Sequence, residues 1–458
     1  MRPLLVIDIV GLTPDLLNHM PRVRSVGDSG FIAPLDGVLP ALTTTAQSSM
    51  LTGKPPRDHG IVGNGWYFRD QAEVWLWRQA NQLVQGPKVW HAARERFGDG
   101  FSCAKMFWWY NMYADVEWSA TPRPVYPADG RKLPSIYTEP PALKGQLQGA
   151  LGTFPLFNFW GPTADIESSD WIARATRRVI ADQRPTLALC YLPHLDYDLQ
   201  RFGPNGPEAK RAAEEIDGVA GDLIDYARGE GYAVIVVSEY GITEVDDGVH
   251  INRALREAGL LRANLVDTGW ELLDAGASEA FALADHQVAH VYVKRPENVG
   301  KVKALLEALP GVERVLDADG KRAAGLDHAR SGELVALAEP GKWFTYYYWL
   351  DDRVMPDFAR TVDIHRKPGY DPVELFLDPT IPLPKLKVGL TLLKKKLGMR
   401  YYMNVIPLDA RLVKGSHGRL PARDDEGPVV LSSESIGAAD RLPMTGVFDL
   451  MLDTMGRG

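Results

Sequence analysis

Two residues early in the chain, Asp8 and Thr43, are of the types and order that build a metal-activated nucleophile. Asp8 ends the apolar run Leu4-Leu5-Val6-Ile7-Asp8, which reads as a strand delivering an acid at its carboxyl end. Thr43 ends Val38-Leu39-Pro40-Ala41-Leu42-Thr43, a few tens of residues on. A threonine hydroxyl is a poor nucleophile at neutral pH, and a divalent cation that lowers its pKa repairs that. The plainer reading of Thr43 is an N-cap in a Thr-rich turn before a helix.

Closely after Thr43 comes Thr52-Gly53-Lys54-Pro55-Pro56-Arg57-Asp58-His59-Gly60-Ile61-Val62-Gly63-Asn64. Pro-x-x-Thr followed by Thr-Gly-x-x-Pro-x-x-His-Gly-Ile-x-Gly-Asn resembles the nucleophile segment of the nucleotide pyrophosphatase/phosphodiesterase branch of the alkaline phosphatase superfamily. The resemblance selects Thr43, rather than Thr44 or Thr45, as the attacking residue. It places Asn64 where the family stabilises a phosphoryl oxygen. His59 belongs to a turn in that pattern and is read as structural.

The same resemblance implies a metal constellation. In Asp196-Tyr197-Asp198-Leu199-Gln200-Arg201-Phe202-Gly203-Pro204, Asp196 takes the aspartate position of Asp-x-x-x-His-x-x-Gly-Pro, but Gln200 stands where the histidine belongs. In Ser238-Glu239-Tyr240-Gly241, Glu239 and Tyr240 replace the Asp-His of Ser-Asp-His-Gly. Gly415-Ser416-His417-Gly418 matches the late Gly-x-His-Gly element and makes His417 a ligand. A glutamine oxygen suits zinc poorly. Tyr240 is an uncommon ligand, with a hydrogen bond to a phosphoryl group as its alternative role. Two histidine ligands are thus missing. His286, in Asp285-His286-Gln287-Val288-Ala289-His290, and His365, in Asp363-Ile364-His365-Arg366-Lys367-Pro368-Gly369-Tyr370-Asp371, are candidate replacements. His286 and His290 are four apart and share one face if the segment is a strand. Ordinary structural histidines are the plainer reading of both, and of His194 and His250. Lys367 is a candidate substrate-binding cation. The resulting expectation is two divalent ions, zinc, manganese or iron, with the oxygen-rich set shifting the balance from zinc toward manganese or iron.

Composition sets outer bounds. The 458 residues are 45% apolar and 24% charged, ordinary for a globular protein. A net charge of −8 gives no global field for a nucleic acid polymer. Two cysteines, Cys103 and Cys190, could pair but make no disulfide scaffold. No run reaches ~18 apolar residues, so no membrane span is expected. The N-terminus leads straight into the first strand without a leader pattern, and a cytoplasmic enzyme is expected.

Apolar runs at Leu4–Val10, Thr186–Leu192 and Tyr232–Val237 lack period-2 alternation, as strands buried on both faces do. Helical patterns at Ala164–Gln183 and Pro207–Gly229 precede the second and third. The fold class expected is α/β: a doubly wound, mostly parallel sheet flanked by helices, with chemistry at its carboxyl edge. The resemblance implies an alkaline phosphatase-like α/β/α core over 1–253 and 331–458, with a small inserted α+β subdomain over 254–330. Within that insert, Phe281–Val293 and Val312–Leu316 read as strands and Glu297–Leu309 as a helix. The aromatics crowded between Trp66 and Trp118 read chiefly as packing, with one or two lining a pocket. Pro382–Arg400 carries Lys385, Lys387, Lys394, Lys395 and Lys396 among leucines. It is read as a solvated helix face, with a membrane-surface contact as the alternative.

The function expected is hydrolysis of phosphate diesters or nucleotide pyrophosphates through a phospho-threonine. A small-molecule phosphodiester or nucleotide is the expected partner. The alternatives are a non-catalytic phospho-ligand binder, favoured by Gln200 and Tyr240, and a phosphonate hydrolase or phosphomutase.

Overall fold

The computed structural model describes residues 1–128, 131–399 and 401–457. Its main sheet runs in the order Leu442–Pro443, Phe31–Asp36, Val429–Ser432, Ala233–Val237, Leu4–Ile9, Leu187–Leu192, Cys103–Met106, Trp118–Pro122, Ile136–Glu139. The central strands, from Ala233–Val237 through Trp118–Pro122, are all parallel to their neighbours. The strands Leu4–Ile9, Leu187–Leu192 and Ala233–Val237 are buried at every position, which is why they read as continuous apolar runs. Cys103 and Cys190 lie on adjacent strands of this core and are both free.

Helices pack against this sheet. Ile166–Gln183 starts at an Asp165 cap, whose carboxylate accepts the Glu167 N–H at 3.0 Å, and stops where Arg184 turns left-handed. Pro207–Gly229 starts on a proline at its first turn. These two pack on one another, while Thr43–Thr52, Val89–Phe97 and Val447–Met455 form a second group.

A four-stranded antiparallel sheet, ordered Ala280–Asp285, Val288–Val293, Leu334–Ala338, Val312–Leu316, makes a second layer. Its last-placed strand in sequence, Leu334–Ala338, lies past residue 330. The expectation of one strand over Phe281–Val293 is corrected to a hairpin, which reverses at His286-Gln287. The polar Asp285-His286-Gln287 in an apolar run is the turn, and His286 sits there at φ +58°. His286 and His290 therefore do not share a strand face. The helix expected over Glu297–Leu309 is shorter, Val299–Glu307, following a single tight turn at Pro296–Asn298. No helix among the described residues is long and apolar enough to cross a membrane.

Two features fix the site's walls. Gly415–Ser416 pairs antiparallel with Thr243–Glu244, which brings the segment before His417 beside the segment after Tyr240. A Cβ at Gly415 would lie 2.1 Å from the Leu199 carbonyl oxygen, so only glycine lets this strand approach the helix His194–Phe202. The loop 363–374 is held by Lys367, whose ammonium lies 2.7 Å from both Asp371 and Glu374, all three nearly inaccessible. Glu374 also accepts the Trp160 indole N–H at 2.6 Å and the Asp363 backbone N–H at 2.9 Å.

Two outcomes follow in denaturant titrations. Gly415→Ala should destabilise by about 1–3 kcal/mol through that overlap. Lys367→Met should cost about 3–5 kcal/mol, because it strands two buried carboxylates without their cation.

Candidate active site

Thr43 opens the helix Thr43–Thr52, every residue of which is buried. Its Oγ1 lies 3.0 Å from the Tyr240 hydroxyl, which also reaches Asp196 Oδ1 at 3.5 Å. Thr43 makes no side-chain cap of its own helix, so its hydroxyl is left for the cavity. Thr44 does the local structural work, donating from its hydroxyl to the Gly63 carbonyl at 2.8 Å.

Asp8 and Glu239 sit at the carboxyl ends of adjacent parallel strands, where the register Asp8 to Val237 puts them side by side. Gln47, one helical turn after Thr43, donates its amide to Asp8 Oδ2 at 3.0 Å and Glu239 Oε1 at 2.8 Å. The Trp109 backbone N–H donates to the Gln47 side-chain Oε1 at 2.7 Å and fixes the amide's orientation. Burial pushes the Asp8 carboxyl up to about 7. Burial, then the charge of Asp8, raises Glu239 well above the ordinary carboxylate range.

Asp196 lies in the first turn of the helix His194–Phe202, and burial, reinforced by Glu239, pushes it up to about 7. Gln200, one turn on, donates to Asp196 Oδ2 at 2.7 Å and accepts from the Tyr370 hydroxyl at 3.0 Å. Its oxygen is thus engaged, and it holds the aspartate. His417 donates from Nδ1 to the Ala41 carbonyl at 2.8 Å, leaving Nε2 facing Asp196 Oδ1 at 3.8 Å. His286 donates from Nδ1 to Asp285 at 2.7 Å. Burial keeps both imidazoles neutral, far below their ordinary pKa.

Four rings stack in series. Tyr240 lies on His417 with centroids 3.6 Å apart and planes 8° apart; His286 packs against His417 at 3.7 Å; Tyr370 packs against His286 at 3.7 Å. The stack joins the main sheet, the late strand, the hairpin turn and the loop held by Lys367. It brings His286 into the cavity and sets Tyr240 flat against His417.

Among the described residues, the buried Asp8 Oδ1, Glu239 Oε2, His417 Nε2 and His286 Nε2 have no hydrogen-bond partner. Among the described residues no three His, Cys, Asp or Glu side chains are close enough to hold a metal by themselves. The donors are therefore two pairs, Asp8 with Glu239 and Asp196 with His417, flanked by Thr43 and His286. Lone pairs left bare in a buried acidic site fit a hard divalent cation whose remaining positions are filled by water and substrate oxygens.

The other expected residues fall elsewhere. Asn64 accepts the Thr44 N–H at 3.2 Å and donates to Asp285 at 3.3 Å, so it braces the helix Thr43–Thr52 against the hairpin and does not line the cavity. Lys367, expected as a substrate contact, is spent in its buried ion pairs and does not line the cavity either. His365 lies exposed at the cavity mouth, held down to about 4 by desolvation there and by Lys132, Arg78 and Arg123. His59, His194, His250 and His290 are engaged with Ser49, Glu215, Thr345 and Val62 respectively.

Trp77 and Trp109 are the rings from the aromatic-rich segment that line the cavity; Trp66, Trp90 and Trp108 are packed inside. Phe159, Trp160 and Tyr197 complete the walls, and Arg123 and Lys132 stand at the mouth. Sequence reasoning missed Gln47 and the wall from 159 to 160. Gln47 was within reach, being four residues after Thr43 and so on the same helix face.

The profile of the family described as type I phosphodiesterase/nucleotide pyrophosphatase matches residues 4–371. An uncharacterized pyrophosphatase/phosphodiesterase of Schizosaccharomyces pombe is 25% identical over 245 residues, 52% of this chain and 42% of that protein. The alignment thus spans less than half of that relative's length. Phosphonoacetate hydrolase of Sinorhizobium meliloti, bound to phosphonoformate, shares the fold at TM-score 0.63 and 16% identity, over 99% of this chain and 96% of the other. Murine ectonucleotide pyrophosphatase/phosphodiesterase 5 bound to AMP does so at TM-score 0.59 and 14% identity, over 100% and 95%. With that profile matching most of its length, the chain belongs to the type I phosphodiesterase/nucleotide pyrophosphatase family.

Proposed function

We propose that this chain is a metal-dependent hydrolase of phosphate diesters or pyrophosphates that uses Thr43 as its nucleophile. The observation that carries the reading is the Thr43 hydroxyl, set at the head of a buried helix and facing the same cavity as Asp196, Tyr240, His286 and His417. Asp8 and Glu239 lie behind it, joined by Gln47.

In the proposed reaction the Thr43 hydroxyl loses its proton as its oxygen bonds to phosphorus, and the oxygen on the far side departs and takes up a proton, leaving as an alcohol from a diester or as a phosphate from a pyrophosphate. Water then displaces the threonine oxygen and restores the hydroxyl. Tyr240, its phenol kept protonated by burial, links Thr43 to Asp196 and orients the attacking oxygen. Gln47 keeps the outer oxygens of Asp8 and Glu239 turned away, so that their bare oxygens remain available. Asp8, Glu239 and Thr43 would hold one divalent cation, and Asp196 and His417, with His286 beside them, a second. Such a cation, when bound, supplies Lewis acidity for the hydroxyl and neutralises charge on the phosphoryl oxygens. The oxygen-rich donors favour manganese or iron over zinc.

The walls bear on the substrate. Trp77, Trp109, Phe159 and Trp160 favour an ester whose leaving group carries an aromatic or other apolar body. Arg123 and Lys132 at the mouth favour a further anionic group on it. A second reading, a phospho-ligand binder without turnover, is supported by the absence of any three metal-capable side chains in one cluster among the described residues.

Assays with a chromogenic nucleotide diester separate the two. Thr43→Ala should lower kcat by on the order of 10³–10⁶-fold while weakening manganese binding only modestly, since Asp8, Glu239, Asp196 and His417 remain. Retention of full activity in that variant would reject Thr43 as nucleophile. Chelator should abolish turnover and manganese restore it better than zinc; ligand binding without turnover under every metal would support the binder. The double variant Arg123→Ala, Lys132→Ala should raise KM about tenfold with little change in kcat, read from initial rates on a doubly anionic substrate.

A further inference from the structure

The helix Pro384–Lys396 turns its apolar stripe away from the protein. Leu386, Leu390, Leu393 and Leu397 recur at helical spacing and fall on one face, and they are 57%, 53%, 51% and 65% exposed. A surface helix of a globular protein ordinarily turns such a stripe to the core. Here the inward side is carried by Thr391, which is buried, and by Val388, which packs with Val373, Val405 and Ile406. Leu383 and Met399, 70% and 55% exposed, extend the apolar surface beyond both ends.

Charge is arranged around this stripe. By helical angle Lys394 lies on one flank and Lys385 and Lys396 on the other, all three exposed. Lys387 is tied down by donating to the Asn404 carbonyl at 2.8 Å. The side chain of Lys395 lies outside the described residues. No acidic residue occurs between Asp378 and Asp409, although the whole chain has a net charge of −8. A local cationic, leucine-striped face on an acidic protein is complementary to a surface that is anionic outside and apolar just beneath. Leucines then enter the apolar layer, while lysine stems lie along it and keep their ammonium groups among the headgroups.

We propose that this helix is a peripheral docking element that lies in the plane of an anionic lipid bilayer. The helix shares its packing cluster with Val362 and Phe376, which flank the loop bearing Ile364 and His365 at the cavity mouth. The proposal is independent of the catalytic reading above, because nothing in it uses Thr43 or the acids.

The test is co-sedimentation of the full chain with vesicles of phosphatidylcholine containing one-third phosphatidylserine, against vesicles of phosphatidylcholine alone. Binding should occur with the first and not the second, and high salt should weaken it. Leu390→Glu with Leu393→Glu should reduce the bound fraction by about tenfold or more, as should the triple change of Lys385, Lys394 and Lys396 to Gln. An unchanged melting temperature in both variants establishes that the loss is not unfolding. Failure to bind anionic vesicles, or equal binding by wild type and variants, would overturn the proposal. So would light scattering that finds a dimer which the leucine changes convert to monomer, since the stripe would then belong to a second copy.

Discussion

Three carboxylates, Asp8, Asp196 and Glu239, are buried at one edge of the sheet, and among the described residues no lysine or arginine shifts any of them. Desolvation dominates all three, so each is held far from its ordinary titration range. Hydrogen bonds from neutral groups, Gln47, Gln200 and Tyr240, satisfy some of the oxygens and leave Asp8 Oδ1 and Glu239 Oε2 bare. Buried negative charge of this kind persists only when positive charge arrives from outside the chain or protons replace it. The surroundings of the cavity are arranged to permit that arrival: neutral imidazoles, a rigid ring stack, and cations kept out at the mouth.

The frame that holds this charge is assembled from distant parts of the sequence. The parallel register sets Asp8 beside Glu239, and the short antiparallel pairing at Thr243–Ser416 sets His417 against Tyr240. The hairpin turn contributes His286 at φ +58°, in a backbone conformation that L side chains seldom adopt. Such a conformation is retained where the surroundings over-determine it, and here Asp285, His417 and Tyr370 all grip the imidazole. Lys367 does for the neighbouring loop what no cation does for the three acids: it neutralises Asp371 and Glu374 directly. The contrast between a paired acidic cluster and an unpaired one, a few side chains apart, separates anchoring from chemistry.

Much of the core was legible because buried parallel strands leave a simple signature. Leu4–Ile9, Leu187–Leu192 and Ala233–Val237 each appear as an unbroken apolar run, and Pro207–Gly229 was bounded at both ends by its proline and glycine. The hairpin at His286 was misread as one strand because its turn residues, Asp-His-Gln, carry no glycine or proline. Lys367 looked like a substrate contact because composition cannot tell a cation facing a cavity from one facing two buried acids. Gln200 and Tyr240 read from the sequence as altered ligand positions; the fold shows the bonds that reading could not supply, Gln200 to Asp196, Tyr240 to Thr43, and the Tyr240 ring stacked on His417.

Sequence alone determined the order of the chemistry: an acid at the end of the first strand, a threonine opening a helix, then Asp196, Glu239 and His417, because strand ends and helix starts are set by local apolar pattern and turn residues. Only the tertiary structure decided which residues meet. Gln47 bridging two carboxylates, His286 arriving from another sheet, Asn64 bracing a helix and Lys367 being consumed in an ion pair all depend on contacts between segments up to hundreds of residues apart. Burial then makes the same types of side chain braces, anchors or groups left bare toward the cavity according to the partner each one finds, and no local pattern encodes that partner.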